Sequence, residues 1–98
     1  MALTDKYDFE LLKNEAEQLV LNELELQLET QGPDLCRCDE CIMDMAAMAL
    51  NAVKPLYRFS LLGTQYAAQA MNEQSYAESV QQAVSQAIAR VSANPAHD

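Results

Sequence analysis

The sequence predicts a single all-α domain of three to five helices spanning residues 1–98, and three observations carry that expectation. Punctuation is sparse, with two glycines and three prolines in 98 residues. Between those breaks, apolar residues recur mostly at three- and four-residue steps, the period of a helix with one buried face. Half of the residues are hydrophobic, enough for a small core, although a chain of this size gains much from a metal or a second subunit.

Residues 4–31 read as one long helix. Thr4 suits the N-cap, and Asp5 and Asp8 suit the positive end of the helix dipole. Tyr7, Leu11, Leu12, Ala16, Leu19, Val20 and Leu24 form the apolar stripe. Leu24-Glu25-Leu26-Gln27-Leu28 alternates, but each position holds a good helix former, so it reads as the helix end. Gly32-Pro33 then breaks the chain.

Residues 39–53 are the most regular run. Ile42, Met45, Ala46, Ala49, Leu50 and Val53 share one face, Asp39 is the expected cap, and Pro55 stops the helix. Tyr57-Arg58-Phe59-Ser60-Leu61-Leu62 reads as an extended connector that continues through Gly63. Residues 65–93 read as a third, long helix seamed by Ala70, Ala77, Val80, Val84, Ala87 and Val91. Its small residues let two backbones approach closely.

All three cysteines fall within Cys36-Arg37-Cys38-Asp39-Glu40-Cys41. Three thiolates at this spacing can converge on one zinc ion and staple the Gly32-Pro33 turn to the following helix. Cys41 lies in the first helical turn, where the dipole favours a thiolate. Closed coordination needs a fourth ligand. His97 is the sole histidine; Asp39, Asp44 and a water are the other candidates. The competing reading is three reduced thiols or a transient Cys38–Cys41 disulfide.

The formal net charge is −9, from 15 acidic and 6 basic residues. That balance argues against binding nucleic-acid polymers or an anionic membrane surface. No signal peptide and no membrane-spanning run is evident, so the expected location is the cytoplasm. Arg37, Lys54 and Arg58 are half of the basic residues. With Tyr57 they are the candidate anion-binding residues, the arginine forking onto phosphate and the tyrosine stacking on a base. The competing reading is scattered surface cations. Asp44 and Asn51, seven residues apart, share a helix face and form either a polar site or, for Asn51, a helix-end cap. Met43, Met45, Met48 and Met71 read as core filler before adaptable binding surface. No nucleophile–base pair, glycine-rich phosphate loop or H-E-x-x-H run is present, so the chain reads as a non-enzyme. A zinc hydrolase with an open coordination position is the least favoured reading.

The central run CRCDECIMDMAAMALNAVKPLY, residues 36–57, resembles the late competence development family ComFB. The pattern is C-x-C-x-x-C followed by Asp44, Ala47, Leu50-Asn51, Pro55 and Tyr57, with looser similarity at residues 14–20 and 80–90. The resemblance implies a small all-helical homodimer with bound zinc at the cysteine cluster. It further implies a regulatory role: some relatives without the cluster are receptors for cyclic dinucleotides. The expected function is therefore a zinc-stabilised homodimer that senses cyclic di-GMP or cyclic di-AMP. The alternative is a zinc-stapled protein–protein adaptor in competence and DNA uptake, with no small ligand. One family pattern takes a fourth Cys from later in the chain, and this sequence has none.

Overall fold

Three helices wrap one core. Residues 2–95 are described by the computed structural model, which is all-α apart from one two-residue β pair. The elements run α1 (Leu3–Lys6), a 3-10 turn (Phe9–Leu11), β1 (Lys13–Asn14), α2 (Ala16–Leu28), α3 (Asp39–Ala52), β2 (Tyr57–Arg58), α4 (Leu61–Met71) and α5 (Gln74–Ala93). α3 packs most extensively on α5, and α2 lies against both. No described helix is long and apolar enough to cross a membrane.

The core follows from the spacing of apolar residues. Ala16, Val20 and Leu24 on α2 meet Cys41, Met45, Ala46 and Ala49 on α3 and Tyr76, Val80, Ala83, Val84, Ala87, Ile88 and Val91 on α5. The alanines on α3 and α5 leave little side chain between the backbones, so the two helices approach closely. Val53 and Leu56, just after α3, close the core from one end.

The long first helix expected over residues 4–31 is broken. Ala2 rather than Thr4 holds the N-cap position of α1, and the Asp8 carboxylate accepts the Glu10 N–H to start a separate 3-10 turn. Residues 13 and 14 then pair antiparallel with residues 58 and 57. Asn14 is the pivot of this corner. Its Oδ1 accepts the N–H of Ala16, at the start of α2, at 3.1 Å. The same oxygen accepts the Leu56 N–H at 2.7 Å, and Glu15 N–H donates back to the Leu56 carbonyl at 2.9 Å. Tyr7, Leu11 and Leu12 mimic a helical stripe in sequence but are exposed on this N-terminal arm. The alternating Leu24–Leu28 stretch is helical, as expected.

The third helix divides as well. α4 ends at Met71, Glu73 is extended, and α5 starts at Gln74. The connector ends earlier than expected: Ser60 caps α4 by accepting the Gly63 N–H at 3.5 Å, so Gly63 lies inside that helix. Any Cβ at Gly63 would stand 3.3 Å from the Arg58 Cα, which is why a glycine serves where α4 crosses β2.

Replacing Asn14 by Ala leaves two half-buried N–H groups without their shared acceptor. We expect a loss of about 1–3 kcal/mol in stability, measured by urea unfolding. A midpoint unchanged from the parent would show that the β pair and core hold this corner without the amide.

Candidate metal centre

The loop between α2 and α3 is held at both sides. On the α2 side, the Arg37 guanidinium donates to the Leu28 carbonyl at 2.9 Å and to the Leu35 carbonyl at 3.1 Å, with longer bonds to Gly32 and Gln31. Leu28 is the last residue of α2, and its carbonyl also accepts the Gln31 N–H at 3.2 Å, so Arg37 and the turn share the helix end. On the α3 side, the chain arrives extended at Cys38 and turns into helix. Cys38, not Asp39, is the N-cap: its Sγ accepts the Cys41 N–H at 3.5 Å. Asp39 and Glu40 follow in the first turn, where the dipole favours acidic side chains.

This local geometry brings the three sulfurs together. The Sγ atoms of Cys36, Cys38 and Cys41 all lie within 4.8 Å of one another. Cys41 is buried, Cys36 is half-buried and Cys38 is exposed, so the cluster sits at the edge of the core with one side open. All three are thiols rather than disulfides. Tetrahedral coordination with bonds of ~2.3 Å sets sulfurs ~3.8 Å apart, so a contraction of the cluster seats one ion.

The electrostatics favour a cation. The Cys38 backbone N–H, then the Cys38 and Cys41 thiols, hydrogen-bond to Cys36 and hold its thiol below its usual range. Burial, then hydrogen bonding and like charge from Cys36 and Cys38, pushes the Cys41 thiol up to about 12. Three crowded thiols resist joint ionisation, and a divalent ion removes that conflict by compensating the thiolates. The triad is therefore capable of coordinating a metal. Among the described residues, no carboxylate joins it, so Asp39 and Asp44 are not ligands in this arrangement. His97 lies outside the described residues.

The four candidate anion-binding residues do not form one pocket. Arg37 stands at the start of α3 and Lys54 beyond its end, ~20 Å apart for a 14-residue helix, and Arg37 is occupied with carbonyls. Arg58 pairs with Glu15, which cancels its charge. Lys54 Nζ lies 5.6 Å from the centre of the Tyr66 ring, and hydrogen bonding to Tyr66 raises its pKa. Tyr57 is exposed. The connector is fixed instead by Tyr76, whose hydroxyl donates to the Lys54 carbonyl at 2.7 Å.

A different set of polar residues converges in a groove of about 690 Å³ between α3 and α5. Asp44 and Asn51 line one wall, Arg90 and Asn94 the other, over a floor of Ala47, Met48, Val91 and Ala93. Among the described residues, the side chains of Asp44, Asn51, Arg90 and Asn94 make no hydrogen bond or ion pair. Asn51 is thus not the helix-end cap that its position suggested. The one sequence signal for Arg90 and Asn94 as site residues is the four-residue spacing that places them on a common helix face.

The family model described as "Late competence development protein ComFB" matches residues 13–95. The solved structure of the late competence protein ComFB from Bacillus subtilis superposes with a TM-score of 0.67. The two sequences are 23% identical, and the match covers 87% of this chain and 92% of that one. At that identity the likeness shows a shared fold. No curated protein matches the chain.

Removing metal with a strong chelator should lower the melting temperature by ~10 °C or more, read by scanning calorimetry, and Cys41→Ser should do the same without chelator. Equal melting with and without chelator would contradict a structural metal. Metal binding must displace the proton that Cys41 holds to about pH 12. Affinity should therefore rise with pH, by up to about tenfold per unit for each proton released, in a competition titration across neutral pH.

Proposed function

The chain belongs to the late competence development protein ComFB family, whose members are non-enzymatic regulators, and from that premise we propose a zinc-stabilised homodimer that senses a cyclic dinucleotide. The convergence of three sulfurs supports the metal and is the observation that carries the reading. Zinc is the metal these donors favour, since soft thiolates and tetrahedral geometry select it. His97 or a water completes the coordination. The zinc is structural: it ties the loop that Arg37 anchors on α2 to the first turn of α3, in a chain that works in a reducing cytoplasm.

The groove between α3 and α5 supports a small ligand. Its volume falls in the usual range for such sites, and its walls carry opposite charges that do not neutralise each other. A cyclic dinucleotide, cyclic di-GMP or cyclic di-AMP, offers phosphates to Arg90, donor groups to Asp44 and flat bases to the Met48 and Val91 floor. Lys54, Tyr57 and Arg58 then act mainly in holding the connector, and Arg37 in holding the loop.

The N-terminal arm supports self-association. Tyr7, Phe9, Leu11, Leu12 and Phe59 surround an apolar hollow of about 340 Å³, each at least 45% exposed. Together they leave on the order of 500 Å² of apolar surface in water, at the upper end for a monomer. A second copy placing the same patch against it would come near the ~800 Å² per partner of a standard interface once the polar rim is added. The same patch favours the second reading, an adaptor that docks another protein there and takes no small ligand.

Calorimetric titration of the metal-loaded protein separates these. The sensor predicts micromolar or tighter binding of cyclic di-GMP or cyclic di-AMP, weakened at least ~10-fold in Arg90→Ala and Asp44→Asn. No heat with either nucleotide at high concentration removes the sensor and leaves the adaptor. Sedimentation velocity should give a dimer for the parent chain and a monomer for Phe9→Glu with Phe59→Glu. A parent that sediments as a monomer refutes the dimer.

A further inference from the structure

We propose that Cys38 and Cys41 form a peroxide-reactive dithiol, with Cys38 the site of attack and Cys41 the resolving thiol. It deepens the metal reading, because these are two of the three proposed ligands, but disulfide formation itself requires no metal.

The three cysteines are not equivalent in the fold. Cys38 is exposed, Cys36 is half-buried and Cys41 is 1% exposed. A peroxide arriving from water therefore meets the Cys38 sulfur first. That sulfur also occupies the N-cap of α3 and accepts the Cys41 N–H at 3.5 Å. An N–H at the start of a helix has no partner within the helix, so this bond holds the Cys38 side chain over the first turn. Exposure and the N-cap position therefore make Cys38 the sulfur that an oxidant reaches first.

Cys41 stands one turn further on, facing the core. Its sulfur lies within 4.8 Å of that of Cys38, and a disulfide requires ~2.05 Å. The shared N–H···Sγ bond already holds the two residues across the first turn, so side-chain rotation supplies most of the approach. Burial keeps Cys41 from reacting with oxidant directly while leaving it beside the Cys38 sulfur.

The chemistry balances with a peroxide as the oxidant. The Cys38 thiolate attacks one peroxide oxygen, the O–O bond breaks, and hydroxide leaves; Cys38 becomes a sulfenic acid. The Cys41 sulfur then attacks the Cys38 sulfur, the S–O bond breaks, and the oxygen departs as water. Two thiols lose two electrons and two protons, and hydrogen peroxide becomes two waters. A cellular dithiol reverses the step by exchange. Oxidation leaves Cys36 as the last thiolate of the triad, so bound zinc would leave, and the loop would stay anchored to α2 through Arg37 while losing its tie to α3.

The test treats purified full-length chain with hydrogen peroxide, alkylates remaining thiols, and maps them by peptide mass spectrometry, with a chromogenic chelator reporting zinc release. The expected products are an intrachain Cys38–Cys41 bridge, an alkylated Cys36, and zinc released in step with the bridge. Cys38→Ser should abolish the bridge. Cys41→Ser combined with Cys36→Ser, which removes both neighbouring thiols, should leave a sulfenic acid at Cys38 that dimedone traps. Cys36→Ser should still form the bridge. Continued alkylation of Cys38 under oxidant, first reaction at Cys36, or a bridge between two chains would each overturn the proposal. A bridge formed by a reduced chain that held no metal before oxidation, and takes up none when zinc is supplied, refutes the zinc reading and leaves this one standing; a zinc-loaded chain that never forms the bridge does the reverse.

Discussion

Three sulfur atoms crowded at the entrance to one helix impose the main constraint on this molecule. The crowding is a product of backbone geometry: an extended approach, a thiol in the capping position, and a second thiol one turn later, facing inward. Without a cation, the sulfurs oppose one another's ionisation. With one, their mutual repulsion becomes attraction to a common centre, and the loop between the second and third helices gains a fixed end. The opposite end of that loop is already held by Arg37 on carbonyls at the close of α2. The two attachments use different chemistry, and Arg37 lies directly between Cys36 and Cys38, so the loop has little room to move once both are made.

The same helix, α3, connects the metal centre to the rest of the structure. Its buried face packs on α5, its first turn carries the sulfurs, and its outward face lends Asp44 and Asn51 to the groove. A tie that fixes the start of α3 therefore also fixes one wall of that groove against the other. At the far end of α3 a second corner, built on Asn14, Leu56 and Tyr76, sets where the chain leaves the helix. Each corner uses a polar group to satisfy backbone atoms that a helix end would otherwise leave unpaired.

Much of the helical core was legible in the sequence. α3 is legible almost to its limits because one unbroken apolar stripe runs between a cysteine-rich start and a proline stop. The triad was legible because three thiols at that spacing have few structural explanations. The N-terminal segment misled, since Tyr7, Leu11, Leu12 and Ala16 mimic a helical stripe. What breaks that stripe is Asn14 binding Leu56, 42 residues away, a tertiary contact without local signature. The division of α4 from α5 was hidden for a related reason: Asn72 and Glu73 are ordinary helix-surface residues, and no Gly or Pro marks the change of direction. Arg37, Lys54 and Arg58 are near one another in sequence, yet the length of α3 separates Arg37 from Lys54, and Glu15 captures Arg58. The groove was half visible. Asp44 and Asn51 shared a face in the sequence, but that Arg90 and Asn94 stand opposite depends on how α5 lies on α3.

X-ray absorption at the zinc edge of the purified chain tests the central claim most directly. Three sulfur scatterers at ~2.3 Å plus one oxygen or nitrogen, at one zinc per chain, is the expected result. Protein without stoichiometric zinc, or zinc surrounded only by oxygen and nitrogen, would contradict it.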